Sequence, residues 1–92
     1  MNLPTKLDMI EYAKELTEAS IVNQDGWSVS VFTDLDVITV SVNRKSFYVF
    51  IRSDEDVRKA DAYYELALEA IVNEISEAVA IERAVDIRRE YA

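Results

Sequence analysis

"GWSVSVFTDLDVITVSVNRKSFYVFIR", residues 26–52, decides the fold. Apolar and polar residues alternate with period two across 27–31 and 38–42, and a largely apolar run follows at 47–51. Successive side chains of a strand point to opposite faces. One face therefore carries Trp27, Val29, Val31, Ile38, Val40, Val42, Phe47, Val49 and Ile51, all suited to a core. The other carries Ser28, Ser30, Phe32, Thr39, Ser41, Tyr48, Phe50 and Arg52, mostly polar with three aromatics. Antiparallel sheets commonly keep one such wet face. Polar breaks at 34–36 and 43–45 make three strands of this stretch, an antiparallel meander. Neither break has the Asn-Gly pair of the tightest hairpins, so the register stays open. The three outer aromatics are either covered by neighbouring elements or form a contact surface.

Outward from this sheet, "NQDG" at 23–26 reads as a turn and holds the only glycine. Before it, residues 5–20 have helical periodicity. Met9, Ile10, Ala13, Leu16 and Ser20 share one face, Tyr12 lies at its edge, and Thr5 is placed to cap the start. After the sheet come forty residues without glycine or proline. Ser53 is a good N-cap, and Asp54, Glu55 and Asp56 suit the first turn's dipole. The expected apolar stripe is Val57, Ala60, Tyr64, Ala67, Leu68, Ile71, Ile75, Ala78 and Val79. It shifts after Val79, where Glu82 would enter it. Two outcomes stay open: one long helix, or a break near residue 80 with a second helix over 80–90. The expected architecture is α+β, in the order α-β-β-β-α, with the helices on one sheet face.

Ninety-two residues, half of them apolar, suffice for a single domain and a single core. Without cysteine there is no disulfide framework, thiolate zinc site or thiol chemistry, and a reducing cytosol is the default compartment. The start lacks the apolar run of a signal peptide, and no stretch approaches the roughly 20 apolar residues of a membrane span. Without histidine or cysteine, Ser-His and Cys-His nucleophiles cannot be built. One glycine cannot make a phosphate-cradling loop. Asp34 and Asp36 could touch a divalent cation, but they lack the further ligands and glycine of a calcium loop. The expectation is a protein that is not an enzyme and uses no cofactor or metal.

Eighteen acids against ten bases give a net charge of −8. That argues against nucleic acid or an anionic membrane as a direct partner, since both are polyanions. The acids are also segregated. Residues 37–53 hold no acid and three bases, Arg44, Lys45 and Arg52, whereas residues 54–77 hold eight acids and two bases. In the first helix Asp8, Glu11, Glu15 and Glu18 step by three and four along one face. In the long helix Asp61, Glu65 and Glu69 step by four, with Glu74 and Glu77 elsewhere around the axis and Arg58 the one base near the row. Residues three and four apart are neighbours on a helix, about 5–6 Å apart, and like charges there repel. Such rows are either simple solvated faces or an anionic surface matched to a Lys/Arg groove built for nucleic acid. On the second reading Asp8, Glu11, Glu15, Glu18, Asp61, Glu65 and Glu69 are the partner-binding residues.

The layout of an initial helix, "DGWSVSV" (25–31) opening a short meander, and "SFYVFIRSDEDVRKADAYYELALEAI" (46–71) leading into a capped acidic helix resembles small acidic phage proteins that inhibit CRISPR complexes, some of them DNA mimics. The resemblance implies a non-enzymatic inhibitor in the cytoplasm of a bacterial host. It also implies, as partner, a basic nucleic-acid-binding channel in a CRISPR surveillance ribonucleoprotein complex. The Arg44–Lys45 turn and the arginines near the C-terminus depart from a purely DNA-like surface. "DGWSVSVFTDLD" (25–36) also resembles the opening strands of toxin-binding antitoxins. On that alternative the contacts are apolar: Phe32, Tyr48 and Phe50, or the 80–91 segment. A homodimer through Ile81, Ile87 and Tyr91 is a third reading, so the chain is expected to be a monomer or a homodimer.

Overall fold

The computed structural model describes residues 4–18, 21–22, 27–72 and 75–91, with residues 17–18 and 21–22 given by backbone alone. In chain order the elements are α1 (Lys6–Glu18), β1 (Ile21–Val22), β2 (Ser28–Asp34), β3 (Val37–Val42), β4 (Lys45–Phe50), α2 (Asp54–Val72) and α3 (Glu77–Glu90). The α-β-β-β-α layout holds, with a two-residue strand added at one edge and the C-terminal helical region divided in two. The sheet order is β1-β2-β3-β4, every neighbouring pair antiparallel. The turn expected at 23–26 lies outside the described residues.

Both hairpins turn in two residues, Leu35–Asp36 and Asn43–Arg44, each with its first residue at positive φ (51° and 56°). Asn tolerates that region because its short polar side chain suits left-handed backbone. Leu35 has no such chemistry and lies 86% exposed at its hairpin tip. These loops fix the register. Val29, Val31, Ile38, Val40, Val42, Phe47 and Val49, with Trp27 and Ile51 at the ends, all point to the core, as the alternation requires. On the outer face Ser30, Ser41 and Ser46 form one row across three strands, with Ser41 Oγ and Ser46 Oγ 3.0 Å apart. Phe32, Thr39 and Tyr48 form the next row. Phe32, Tyr48 and Phe50 are 60%, 62% and 45% exposed, so the helices do not cover them.

The helices occupy the other face, and one core joins Met9, Ala13 and Leu16 of α1, the sheet, α2 and Ala80 and Ala84 of α3. Within α2 the buried residues are Val57, Ala60, Tyr63, Leu66, Ala67 and Ala70. The expected stripe is therefore corrected. Tyr64, Leu68, Ile71 and Ile75 are only partly buried, and Ala78 and Val79 are exposed. Val57, Ala60 and Ala67 of that stripe are buried as expected. The reason for the rest is position, since α2 lies on the sheet between α1 and α3 and the other α2 members of the stripe follow its α1 flank. On that flank Tyr12 and Tyr64 stack, ring centroids 5.6 Å apart. The sheet side takes Tyr63, stacked on Phe47 at 5.9 Å, its hydroxyl donating to Ala84 O at 3.4 Å.

The helical break also falls earlier than residue 80. Ser76 caps α3, its Oγ accepting from Val79 N at 3.2 Å. A serine cap satisfies amide groups that a continuous helix would bond to its preceding turn. The new helix then restarts with its own phase, which is why Glu82 is exposed instead of entering a core stripe. Among the described residues no helix is long and apolar enough to cross a membrane.

Candidate functional site

The two carboxylate rows project from α1 and α2, whose shared flank is closed by the Tyr12–Tyr64 stack. Their members do not remain equivalent. Asp8 belongs to the start of α1, where Thr5 N donates to its Oδ2 at 3.0 Å and Asp8 N donates to Thr5 Oγ1 at 3.1 Å. This reciprocal arrangement is a capping box. Glu11 approaches Lys14 at 3.8 Å, so the α1 row does have a cation beside it. Glu15 is exposed close to Tyr64. The side chain of Glu18 lies outside the described residues, as does Glu74.

On α2 the row drifts. Four residues exceed one turn of 3.6, so each step advances by about 40° around the axis. Asp61 consequently sits toward α1 and is half-buried, and the loss of water raises its carboxyl above the ordinary range. Glu65 points outward and is exposed. Glu69 has turned toward α3 and pairs with Arg83. Arg58 is thus not the one base near this row. What the fold brings together is a smaller surface: Glu15, Asp61 and Glu65 around the two stacked tyrosines. Burial raises the Tyr64 phenol, and Glu15, Glu65, Tyr12 and Asp61 raise it further. Glu11 completes the ridge on the outer side of α1.

A second charged region gathers at β4. Arg44 and Lys45 sit at its start and Arg52 just beyond its end. From beneath come Lys59 of α2 and Arg88 of α3, which with Ser46, Phe47, Tyr48 and Tyr63 line a groove of about 280 Å³. The Arg88 guanidinium lies 5.6 Å from the Phe47 ring centroid, and that of Arg52 lies 4.7 Å from Phe50. The ion pairs among the described residues are Lys6–Asp36 at 2.8 Å, Glu11–Lys14 and Glu69–Arg83. They include none of these five bases. Sequence reasoning noticed the acid-free stretch 37–53 but not the convergence, because Lys59 and Arg88 arrive from helices distant in the chain.

A cavity of about 520 Å³ opens where the starts of α1 and α2 approach the sheet end, beside Lys6, Asp36 and Arg52. Both helix starts are already capped from within the chain. Asp56 N donates to Ser53 Oγ at 3.2 Å and Arg52 N to Asp56 Oδ2 at 2.9 Å, as Thr5 and Asp8 do in α1. Asp36, weighed above as a cation ligand, is paired with Lys6. No group of three or more carboxylates placed to hold a metal ion occurs among the described residues. Comparison with protein families, with curated proteins and with solved structures found no match.

Proposed function

We infer that this is a non-enzymatic binding protein that presents the acidic α1–α2 ridge to a basic, nucleic-acid-binding surface of a partner. The observation that carries the reading is the convergence of Glu15, Asp61 and Glu65, from two helices, around the Tyr12–Tyr64 stack. Asp61 and Glu65 are helical neighbours about 5–6 Å apart, the scale on which successive backbone phosphates recur, and two aromatic rings supply apolar area beside them. Asp8 and Glu69 contribute to the field of the ridge while also serving the fold. A net charge of −8 steers such a protein toward a basic groove and speeds association. In keeping with the resemblance to acidic phage inhibitors, the partner we propose is the nucleic-acid channel of a CRISPR surveillance complex.

The test is the affinity and association rate for a purified CRISPR surveillance complex across a salt series. Wild type is compared with Glu11→Lys/Glu15→Lys and with Glu65→Lys. The expected result is association slower by roughly tenfold in each variant at low salt, a steep salt slope for wild type, and competition by target DNA. Equal binding by all three proteins with no salt slope would overturn the reading. A second reading, an antitoxin-like or assembly protein, is favoured by the exposure of Phe32, Tyr48 and Phe50 on the open sheet face. It expects a shallow salt dependence and loss of association in Tyr48→Ser with folding intact.

A further inference from the structure

We propose that the β4 edge is a docking site for an extended acidic segment of a partner protein, which adds to the sheet as a further strand beside β4. The site does not involve the acidic ridge and does not depend on what the ridge binds.

The backbone phase of β4 follows from its pairing. Val42 and Lys45 close a two-residue loop and exchange hydrogen bonds, and Ile51 N donates to Asp36 O at 2.8 Å in the same phase. In an antiparallel ladder the bonded and non-bonded pairs alternate. Lys45, Phe47 and Val49 therefore turn their backbone groups toward β3. Ser46, Tyr48 and Phe50 turn theirs away, and among the described residues β4 is the last strand of the sheet. This is a six-residue edge without proline, the form of edge that strand addition uses.

The side chains state what kind of strand fits. A strand laid along β4 alternates its own side chains between the two faces of the sheet. Those on the helix side enter the groove walled by Lys59 and Arg88, and Lys45 is the first residue of β4. Those on the open side lie beside Tyr48 and Phe50, whose rings meet edge to face with centroids 6.1 Å apart. The fitting pattern is acidic residues on one side alternating with apolar or aromatic residues on the other. Charge decides among occupants. Pairing β4 with β4 of a second copy would bring Lys45, Lys59 and Arg88 of both copies together, and such like-charge contact opposes association. A nucleic-acid strand carries a charge at every phosphate, which a chain of −8 overall repels more than it repels a few carboxylates, and it has no backbone amides to complete the ladder. An acidic polypeptide segment offers carboxylates one at a time, with backbone groups to complete the ladder.

The experiment is an amide-shift titration of the full chain with a capped peptide of alternating Glu and Val. A Lys-Val peptide and oligothymidylate are the other probes, and wild type is compared with Ser46→Pro, Lys59→Glu and Arg88→Glu. Proline at 46 removes one outward N–H and leaves the β3 ladder intact, and a thermal melt checks folding; the two charge variants test the site even where the proline variant fails to fold. The expected result is saturable shifts at Ser46, Tyr48 and Phe50 with the Glu-Val peptide only, and affinity lower by roughly tenfold in each folded variant. Shifts with neither peptide, or equal response to both, would mean that these cations serve only to deter strand pairing, and would overturn the proposal. Shifts with oligothymidylate instead, or concentration-dependent shifts with no ligand, would replace it by a nucleic-acid edge or a self-pairing edge.

Discussion

The α1–α2 ridge and the β4 edge carry opposite charge, and they hold it differently. On the ridge the structure makes use of several carboxylates: Asp8 in a cap, Glu69 in an ion pair with Arg83, Asp61 partly desolvated. At the edge, Lys45, Lys59 and Arg88 take no part in the ion pairs of the described residues, and Arg88 rests on an aromatic ring. Two tyrosines adjacent in the chain divide between these regions. Tyr64 faces α1 and Tyr12, whereas Tyr63 faces Phe47 beneath β4. A regular row of like charge is thus no guide to how much of it is free to act. Scattered bases, one or two per element, make the less encumbered cluster.

The largest expected effect separates the two tyrosines. Tyr63 is 1% exposed and supports the β4 side from within the core. Tyr63→Ala should cost about 3–5 kcal/mol, the range for large aromatic truncations in cores. Tyr64→Ala removes a half-buried ring and one stack, and should cost about 1–2 kcal/mol. Urea unfolding of the two variants measures both. Equal losses would mean that the ridge is as much part of the core as the β4 side, and the contrast between them would fall.

A smaller effect tests whether the first carboxylate of the ridge serves the fold. Thr5→Ala should cost about 1 kcal/mol by opening the capping box, and Asp8→Ala should also destabilise. Glu15→Ala, on the same helix without a cap to break, should leave the melting temperature unchanged or raise it. If Asp8→Ala and Glu15→Ala melt alike, Asp8 is as free as Glu15, and the α1 row acts as a unit.

These contrasts also mark what was legible in the sequence. The sheet's inner face was, residue for residue, because period two admits only one apolar set from Trp27 to Ile51. The Thr5 and Ser53 caps were legible as well, and both are formed. The phase of α2 was not. A helix packed on a sheet and flanked by two helices buries more than one stripe, and Tyr63, Leu66 and Ala70 lie outside the stripe that starts at Val57 and follows Tyr64. Ser76 carried the signal for the helical break but stands in a stretch without glycine or proline that reads as continuous helix. Both carboxylate rows were visible. Their partition was not, because the partner of Glu69 belongs to another helix and the burial of Asp61 depends on how the helices pack. The Lys59–Arg88 groove needed the fold itself.

Titration sharpens the comparison further. Burial raises both phenols above the ordinary tyrosine value of about 10. At Tyr63 the Arg88 cation opposes that rise, and at Tyr64 the carboxylates of Glu15, Glu65 and Asp61 add to it. Because the folded values lie above the unfolded one, the contribution to stability is fully present below about pH 10. It is lost as pH rises through the folded values, since the unfolded chain ionises first. Salt should move the two apart in sign. Screening the carboxylates lowers Tyr64, and screening Arg88 raises Tyr63. Ring-carbon shifts of labelled tyrosine follow each residue separately. Movement in the same direction would mean that one field covers both regions.

The smallest effect bears most directly on function. Glu11 and Glu15 are a like-charge pair four apart, and Asp61 and Glu65 are another. Glu15→Lys and Glu65→Lys each convert such a pair into an acid preceding a base, the favourable orientation. Each should therefore gain a few tenths of a kcal/mol in stability. Arg88→Glu should lose about 0.5–1 kcal/mol, because it removes the cation over Phe47. Reversal on the ridge thus stabilises and reversal at the edge destabilises, a difference within reach of paired thermal melts at low salt. If the proposed reading holds, the ridge variants should at the same time bind the proposed basic partner more slowly. A substitution that improves the fold and impairs binding separates the two roles of the same side chain. If Glu15→Lys instead lowers the melting temperature, the α1 carboxylates are held in contacts that the fold requires, and the ridge loses its standing as a surface kept for a partner.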